Sequence, residues 1–468
     1  MNIKRRSPIF ILLTLAVLWA GCTSNTSELN IETPRSSPED KLTIWWNQSH
    51  YPQEDEAIQQ LVEDWAAKTD TTAELIIVGQ DDILKKIELA RQSGDVPDVF
   101  FSNQADAGHI PRWAWDGLLL DLSDVVKPQQ EIFSPAALQA VTLYNQVEQT
   151  RSVYAVPIQQ QTIHLHYWRD LLSEAGFTAA DIPSEWDAFW DFWQQAQAQL
   201  RAQGQTDLYA LGLPMSVESI DTYLIFEQIL EAHDVELMDE NGNLRLDVPQ
   251  LRQNIVAALR WYTEFYHQGF VPPAASDWTA GDNNTAILNR QTLLAINPTL
   301  SIPASQREDP EIYYDQLVTI PFPQEPDGEP MTHLVDVKQV VVFTAASNPE
   351  LAKEFLTYLV QPQHLSNYLE QSFGRYFPVI PEIRAQDFWN DPADPHIFAG
   401  AQQHQGKTRS MPQTRNATYT QVQSETVWPK AIERIVVDGV SPEVAADEAI
   451  AQIEKIFQAW EAEESGKL

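Results

Sequence analysis

His164 and His166 stand two residues apart in IHLHYWRD, with Asp170 just beyond. In a strand, residues two apart face the same side. Two imidazoles and a carboxylate could therefore clasp a metal ion. The plainer reading is a wet strand carrying surface imidazoles, and that is the expectation. Acid pairs suited to glycoside hydrolysis could be drawn almost anywhere among 66 Asp and Glu residues, so spacing assigns none of them. Thiol catalysis is excluded, because the only cysteine, Cys22, sits directly after an apolar run near the start. GxSxG, HExxH and the Gly-rich Lys phosphate loop do not occur. The residues predict binding without catalysis: not an enzyme, no cofactor, no metal.

The position of that cysteine points to an address. Lys4, Arg5 and Arg6 precede the apolar run from Ile9 to Ala20. The run is too short for a membrane-spanning helix, which needs about 20 apolar residues, and fits the core of a secretion signal. The stretch LWAGC resembles the bacterial lipoprotein signal, with Ala20, Gly21 and Cys22 in place. The resemblance implies that residues 1–21 are removed and that Cys22 is acylated. The chain would then be held at a bacterial membrane, in the periplasm or at the cell surface, by lipid alone. Residues 22–40 are polar, with two prolines, and read as a flexible tether.

Composition narrows the partners. The net charge is -36, which repels phosphate backbones and anionic lipid surfaces; nucleic acid is not a partner. Hydrophobic residues make up 43% of the chain, enough for two real cores in a chain of this length. Fifteen tryptophans suggest that some of them face a ligand.

The elements that would position such a site alternate. KLTIWW, AELIIVG and PDVFFS read as strands, separated by the amphipathic helices EDEAIQQLVEDWAAKT and DDILKKIELARQSG. This order predicts an α/β fold with a largely parallel sheet, with ligands at the strands' carboxyl ends. RSVYAVPIQQQTIHLHYW reads as two strands flanking a glutamine-rich turn. EWDAFWDFWQQAQAQLRAQG reads as a long helix whose Trp186, Phe189, Trp190 and Trp193 form a core stripe. Asn348-Pro349 starts another helix, and YTQVQSETVWPKAIERIVVDG reads as helical near the end.

Several of these stretches together resemble one family. They are PDVFFSNQADAGHIPRWAWDGLLLDLSDVV, VYAVPIQQQTIHLHYWRDLLSEAGF followed by IPSEWDAF, SNPELAKEFLTYLVQPQ, FGRYFPVIPEI, and MPQTRNATYTQVQSETVWPKAIERIVVDG. In this order they resemble extracellular solute-binding proteins of ABC import systems, of the maltose-binding, carbohydrate type. The resemblance implies a two-lobed α/β, periplasmic-binding-protein-like fold with three hinge crossovers and a central cleft. It places the crossings near 149–152, 333–337 and 376–378. Lobe 1 is then 41–150 plus 337–376, and lobe 2 is 151–334 plus 377–468. It also implies a monomer that closes over a sugar or oligosaccharide and hands it to a membrane-embedded ABC permease.

A sugar has apolar C–H faces and a hydroxyl rim, so aromatic rings and polar groups should share the cleft. On the implied cleft, Trp46 and Asn47 end the first strand, and Asn103 and Asp106 follow the third. Gln161 sits after VYAVP, Trp278 and Asp282 lie in the loop DWTAGDNN, Arg375 and Tyr376 lie at the third hinge, and Tyr419 begins a late helix. All ten are expected to touch ligand, with Trp46 and Trp278 as stacking platforms. Helix capping competes for Asn103 and Asp106, and core packing competes for Tyr419. Rival readings keep the fold and change the ligand to a polyamine, peptide or small ion, keep the sugar for sensing alone, or make the protein an extracellular hydrolase.

Overall fold

The computed structural model describes residues 41–467; the signal, Cys22 and the tether lie outside them. Thirteen strands follow in chain order: β1 (Lys41–Asn47), β2 (Thr72–Val78), β3 (Val99–Phe101), β4 (Thr142–Asn145), β5 (Thr150–Val153), β6 (Val156–Gln161), β7 (His164–Trp168), β8 (Tyr209–Gly212), β9 (Thr292–Asn297), β10 (Leu317–Ile320), β11 (His333–Val341), β12 (Phe377–Pro378) and β13 (Thr408–Ser410). One sheet runs β12-β6-β11-β3-β1-β2, with β13 beside β11. A second runs β10-β7-β9-β8, and β4 and β5 form a separate hairpin. β1 pairs in parallel with β2 and β3, whereas β11 runs antiparallel to β3 and β6. The expected parallel β-α-β start is present, and the antiparallel strands are the crossing segments.

Period-two alternation builds β1. Leu42, Ile44 and Trp46 are fully buried on one face, while Trp45 points the other way beneath the Lys86 ammonium, 4.2 Å from its ring. The buried Asp98 ties this strand to a later helix. Its carboxylate accepts from Thr43 N and Oγ1 (2.9 and 2.8 Å) and from Asn348 N (2.6 Å). Pro349 then opens the helix Pro349–Leu359, whose Ala352, Phe355, Leu356 and Leu359 enter the core as expected. The tryptophan stripe of the helix Trp186–Ala202 is core as well.

Two hydrophobic cores result, one per lobe. The chain passes between them at 158–163, at 334–335 and at 401–411. Residues 151–158 and 377–401, assigned above to lobe 2, supply Val153, Ile158, Phe377, Trp389 and Ile397 to the core of lobe 1. The reason is sheet membership: β6 and β12 pair with each other and with β11, so their side chains fill the first core.

Three local readings change. The glutamines of VPIQQQ form strand rather than turn, and Gln159, Gln160 and Gln161 are at most 8% exposed. His164 and His166 are fully buried in β7, not surface groups. His164 Nδ1 bonds Gln403 Oε1 at 3.0 Å, and His166 Nδ1 bonds Thr319 Oγ1 at 2.9 Å. Burial lowers both imidazoles, His164 to about 3. Among the described residues, no group of His, Cys, Asp and Glu is arranged to hold a metal. The late helix is also broken, with Thr426 at φ 50° separating Tyr419–Ser424 from Val427–Val436.

Candidate functional site

A cavity of about 730 Å³ lies where the two lobes meet. Its floor comes from the first sheet. Asp336 and Lys338 on β11 face it, next to Gln161 on β6. Lys338 Nζ donates to Asp336 Oδ2 at 2.6 Å and to both Asp106 oxygens at 3.2 Å. Gln161 Nε2 donates to the same Asp336 oxygen at 3.1 Å. Burial would lower the lysine, but the two carboxylates override it and hold it raised. Burial and the Asp336 charge push Asp106 up. Asp336 would rise on burial too, but Lys338 and its hydrogen bonds bring it down.

Lobe 1 lines one wall with Asn103, Gln104, His109, His50, Arg375 and Tyr376. The loop after β3 is held in place from behind. Asn47 Oδ1 accepts from Asn103 N at 3.1 Å, and Gln159 Nε2 donates to Asn103 Oδ1 at 3.1 Å. Lobe 2 lines the other wall with Asp221, Asn284, Asn297, Thr299, Thr420 and Gln423. Here Asn283 is the organiser. Its Nδ2 donates to Asp221 Oδ2 (3.1 Å), Ile296 O (3.0 Å) and Asn297 Oδ1 (3.2 Å). Burial raises the Asp221 carboxyl to about 6, against the pull of Asn283. Asn284 Oδ1, Gln423 Oε1 and Arg375 Nε are buried on these walls without a protein partner. Such atoms favour a ligand that can bond them.

Of the ten expected ligand contacts, Asn103, Gln161, Arg375 and Tyr376 line the cavity. Six stand elsewhere. Trp46 is fully buried, its ring 4.3 Å from Phe101 and its Nε1 donating to Tyr368 Oη at 3.2 Å. It shares its strand face with Leu42 and Ile44, so alternation itself directs it inward. Asn47 and Asp106 are buried behind the wall, Asn47 bonded to Asn103 and Asp106 to Lys338. Trp278 is 8% exposed within the core of lobe 2. Asp282 accepts from Thr279 N and Oγ1 and so closes a turn. Tyr419 is fully buried, donating to Glu227 Oε1 at 2.8 Å, while its helix turns Thr420, Gln423 and Ser424 to the cavity.

Among the described residues, no tryptophan lines the cavity; besides the imidazoles of His50 and His109, its aromatic ring is that of Tyr376. The expected indole platforms went to the cores, where a large apolar surface is worth most. Asp221, Asn284, Asn297 and Gln423 carried no sequence signal beyond polarity. Asp221 was the most accessible to reasoning, as an acid opening the apolar helix Ile220–Ala232.

Two α/β lobes, three passages and a cavity lined from both lobes define a two-lobed ligand-binding fold. The chain belongs to the bacterial extracellular solute-binding protein family, whose profile matches residues 51–364. The Escherichia coli K12 protein YcjN, named as an ABC transporter periplasmic-binding protein, is 22% identical over 83% of this chain and 82% of its own. Among solved structures, the cyclic α-maltosyl-1,6-maltose binding protein of Arthrobacter globiformis superposes with TM-score 0.71 at 18% identity, covering 89% of this chain and 98% of its own. An ABC transporter solute-binding protein of Thermotoga lettingae, bound with α-D-tagatose, gives 0.69 at 21% identity over 89% and 99%. The sugar-binding protein MalE of Xanthomonas citri gives 0.69 at 19% over 90% and 99%.

Proposed function

We propose that this protein captures a sugar or oligosaccharide outside the cytoplasm and delivers it, unaltered, to an ABC importer. The observation that carries this reading is the lining of the inter-lobe cavity. Amides and a carboxylate converge there from both lobes: Gln161 and Asn103 from one, Asp221, Asn284, Asn297 and Gln423 from the other. Amides both donate and accept, which matches hydroxyls that do the same. A ligand bonded by both walls favours the closed arrangement and shifts the population towards it. The similar structures include a tagatose-bound protein and two named as sugar-binding or maltosyl-maltose-binding, which supports the same ligand class. Asn103, Gln161, Arg375 and Tyr376 are the lobe 1 contacts of this reading. Cys22 is the lipid attachment point, and the protein acts as a monomer beside its permease.

The test is thermal unfolding with a panel of saccharides. A ligand at 100 times its Kd adds about 2.7 kcal/mol. For lobes of this size that corresponds to a rise of roughly 5–10 °C. No rise with any saccharide, and a clear rise with spermidine or a peptide, would end the sugar reading.

A further inference from the structure

Arg375 is the feature of the cavity that a neutral sugar leaves unexplained. It lines the cavity and is half-buried. Among the described residues its guanidinium makes no ion pair, and its Nε is buried without a protein partner. Its Cζ lies 5.3 Å from the ring of Tyr376, which holds the head group in place. The other cations near this region are satisfied. Lys338 is bracketed by Asp106 and Asp336, and Arg307 pairs with Asp394 at 2.6 Å.

The neighbouring acids do not neutralise Arg375. Asp336 is engaged by Lys338 and Gln161, and Asp221 by Asn283 on the opposite wall. Glu54 is turned to the start of its own helix, where its carboxylate accepts from Tyr51 N at 3.3 Å. Burial raises it to about 7, with Arg375 and its hydrogen bonds opposing, so at neutral pH it is only partly charged. A half-buried guanidinium without a counter-charge is costly when a cleft closes and removes its water. The chain is otherwise rich in acid, with 66 acidic residues against 30 basic ones, so a spare anion to pair with it would have been easy to place.

Resting on the saccharide reading above, we infer that the ligand carries an oxyanion, a carboxylate or sulfate ester, and that Arg375 receives it. A guanidinium matches either group with two parallel hydrogen bonds. The amides and Asp221 on the far wall then take the hydroxyls. A polyamine or metal cation would meet Arg375 as a like charge. The ligand class is an acidic saccharide, such as an oligouronide or a sulfated oligosaccharide.

The experiment uses the full-length chain and calorimetric titration with matched sugars. The probes are oligogalacturonides, their methyl esters, sulfated carrageenan oligosaccharides, and neutral maltotriose and cellotriose. We expect acidic members to bind at least tenfold tighter than their neutral partners. Arg375→Gln should erase that advantage and Arg375→Lys should keep part of it, with ligand-free melting unchanged in both. Binding of the acid should also weaken with salt, as a charged contact requires. A response confined to carrageenan fragments assigns the sulfate ester; one confined to uronides assigns the carboxylate. Equal affinity for acidic and neutral members, or an acidic preference that survives Arg375→Gln, overturns the inference and leaves sugar capture standing. Binding of no saccharide at all overturns both.

Discussion

Lys338 on the crossing strand β11 holds Asp106 of the helix Ala105–Gly108 in a buried ion pair, with Nζ 3.2 Å from both carboxylate oxygens. Asp336, two residues before it on the same strand, completes the cluster at 2.6 Å. The side chains are 6%, 2% and 10% exposed. Removing the ammonium would leave two acids facing each other in the interior. Lys338→Met is expected to cost about 3–5 kcal/mol, the usual result of breaking a buried pair. Urea unfolding checks this. Adding Asp106→Asn to the same chain should recover part of the loss, and a double variant no better than the single would contradict the account.

Glu227 sets a pH dependence. It is fully buried, and burial pushes it up to about 7, with the hydrogen bond that Tyr419 Oη donates to it at 2.8 Å pulling the other way. In the unfolded chain a glutamate titrates near 4.3. The folded chain therefore keeps this proton between roughly pH 4.3 and 7, where the unfolded chain loses it. The associated stability is present at low pH and is lost as pH rises through 7. Glu227→Gln fixes the uncharged form. At pH 8 it should exceed the parent by about 1–3 kcal/mol, with the gap shrinking by pH 5. Unfolding at the two pH values decides, and a pH-independent gap would rule this out.

Gly400 lies inside the helix Pro395–Gln405, where alanine ordinarily gains about 1 kcal/mol. A Cβ there would clash with Phe377 Cζ. That ring is fully buried against His404 and Trp389, with centroids at 4.5 and 5.6 Å. The clash should outweigh the propensity. Gly400→Ala is expected to destabilise by about 1–3 kcal/mol, read as a lowered melting temperature. A stabilised variant would show that Phe377 has room to move.

The choice of ring in the cavity can be tested by affinity. Tyr376→Ala should weaken saccharide binding at least tenfold. Trp278→Phe should leave it within about twofold, because Trp278 packs in the core of lobe 2; some loss of stability follows, since even conservative core swaps cost about 1 kcal/mol. The reverse ranking would restore the indole as the platform.

The sequence carried the fold well and the site poorly, for different reasons. Strands and helices announce themselves by local period, so β1, β3 and the helix after Asn348 were legible. The outer passages were not, because they depend on which sheet β6 and β12 join, a contact between distant residues. For the site, Asn103 in the loop after β3 lines the cavity, and Gln161 lines it too, although from the end of strand β6 and not from the expected turn. Trp46 was misplaced although Leu42 and Ile44 showed which face it shares. Tyr419 was missed by one helical position, since Thr420 faces the cavity instead. Asn283 and Asn284 could not be told apart without knowing which side of their short helix meets Asp221.

The placement of β11 has a consequence for how the protein is made. It fills the gap between β6 and β3, yet it arrives from the ribosome long after both. A chain halted before residue 333 would leave β3 open on one side and β6 open on both, a surface prone to join other molecules. Lobe 1 cannot mature first and lobe 2 second; the two must be finished together, late, by a strand that belongs to the middle of one and is delivered from the other.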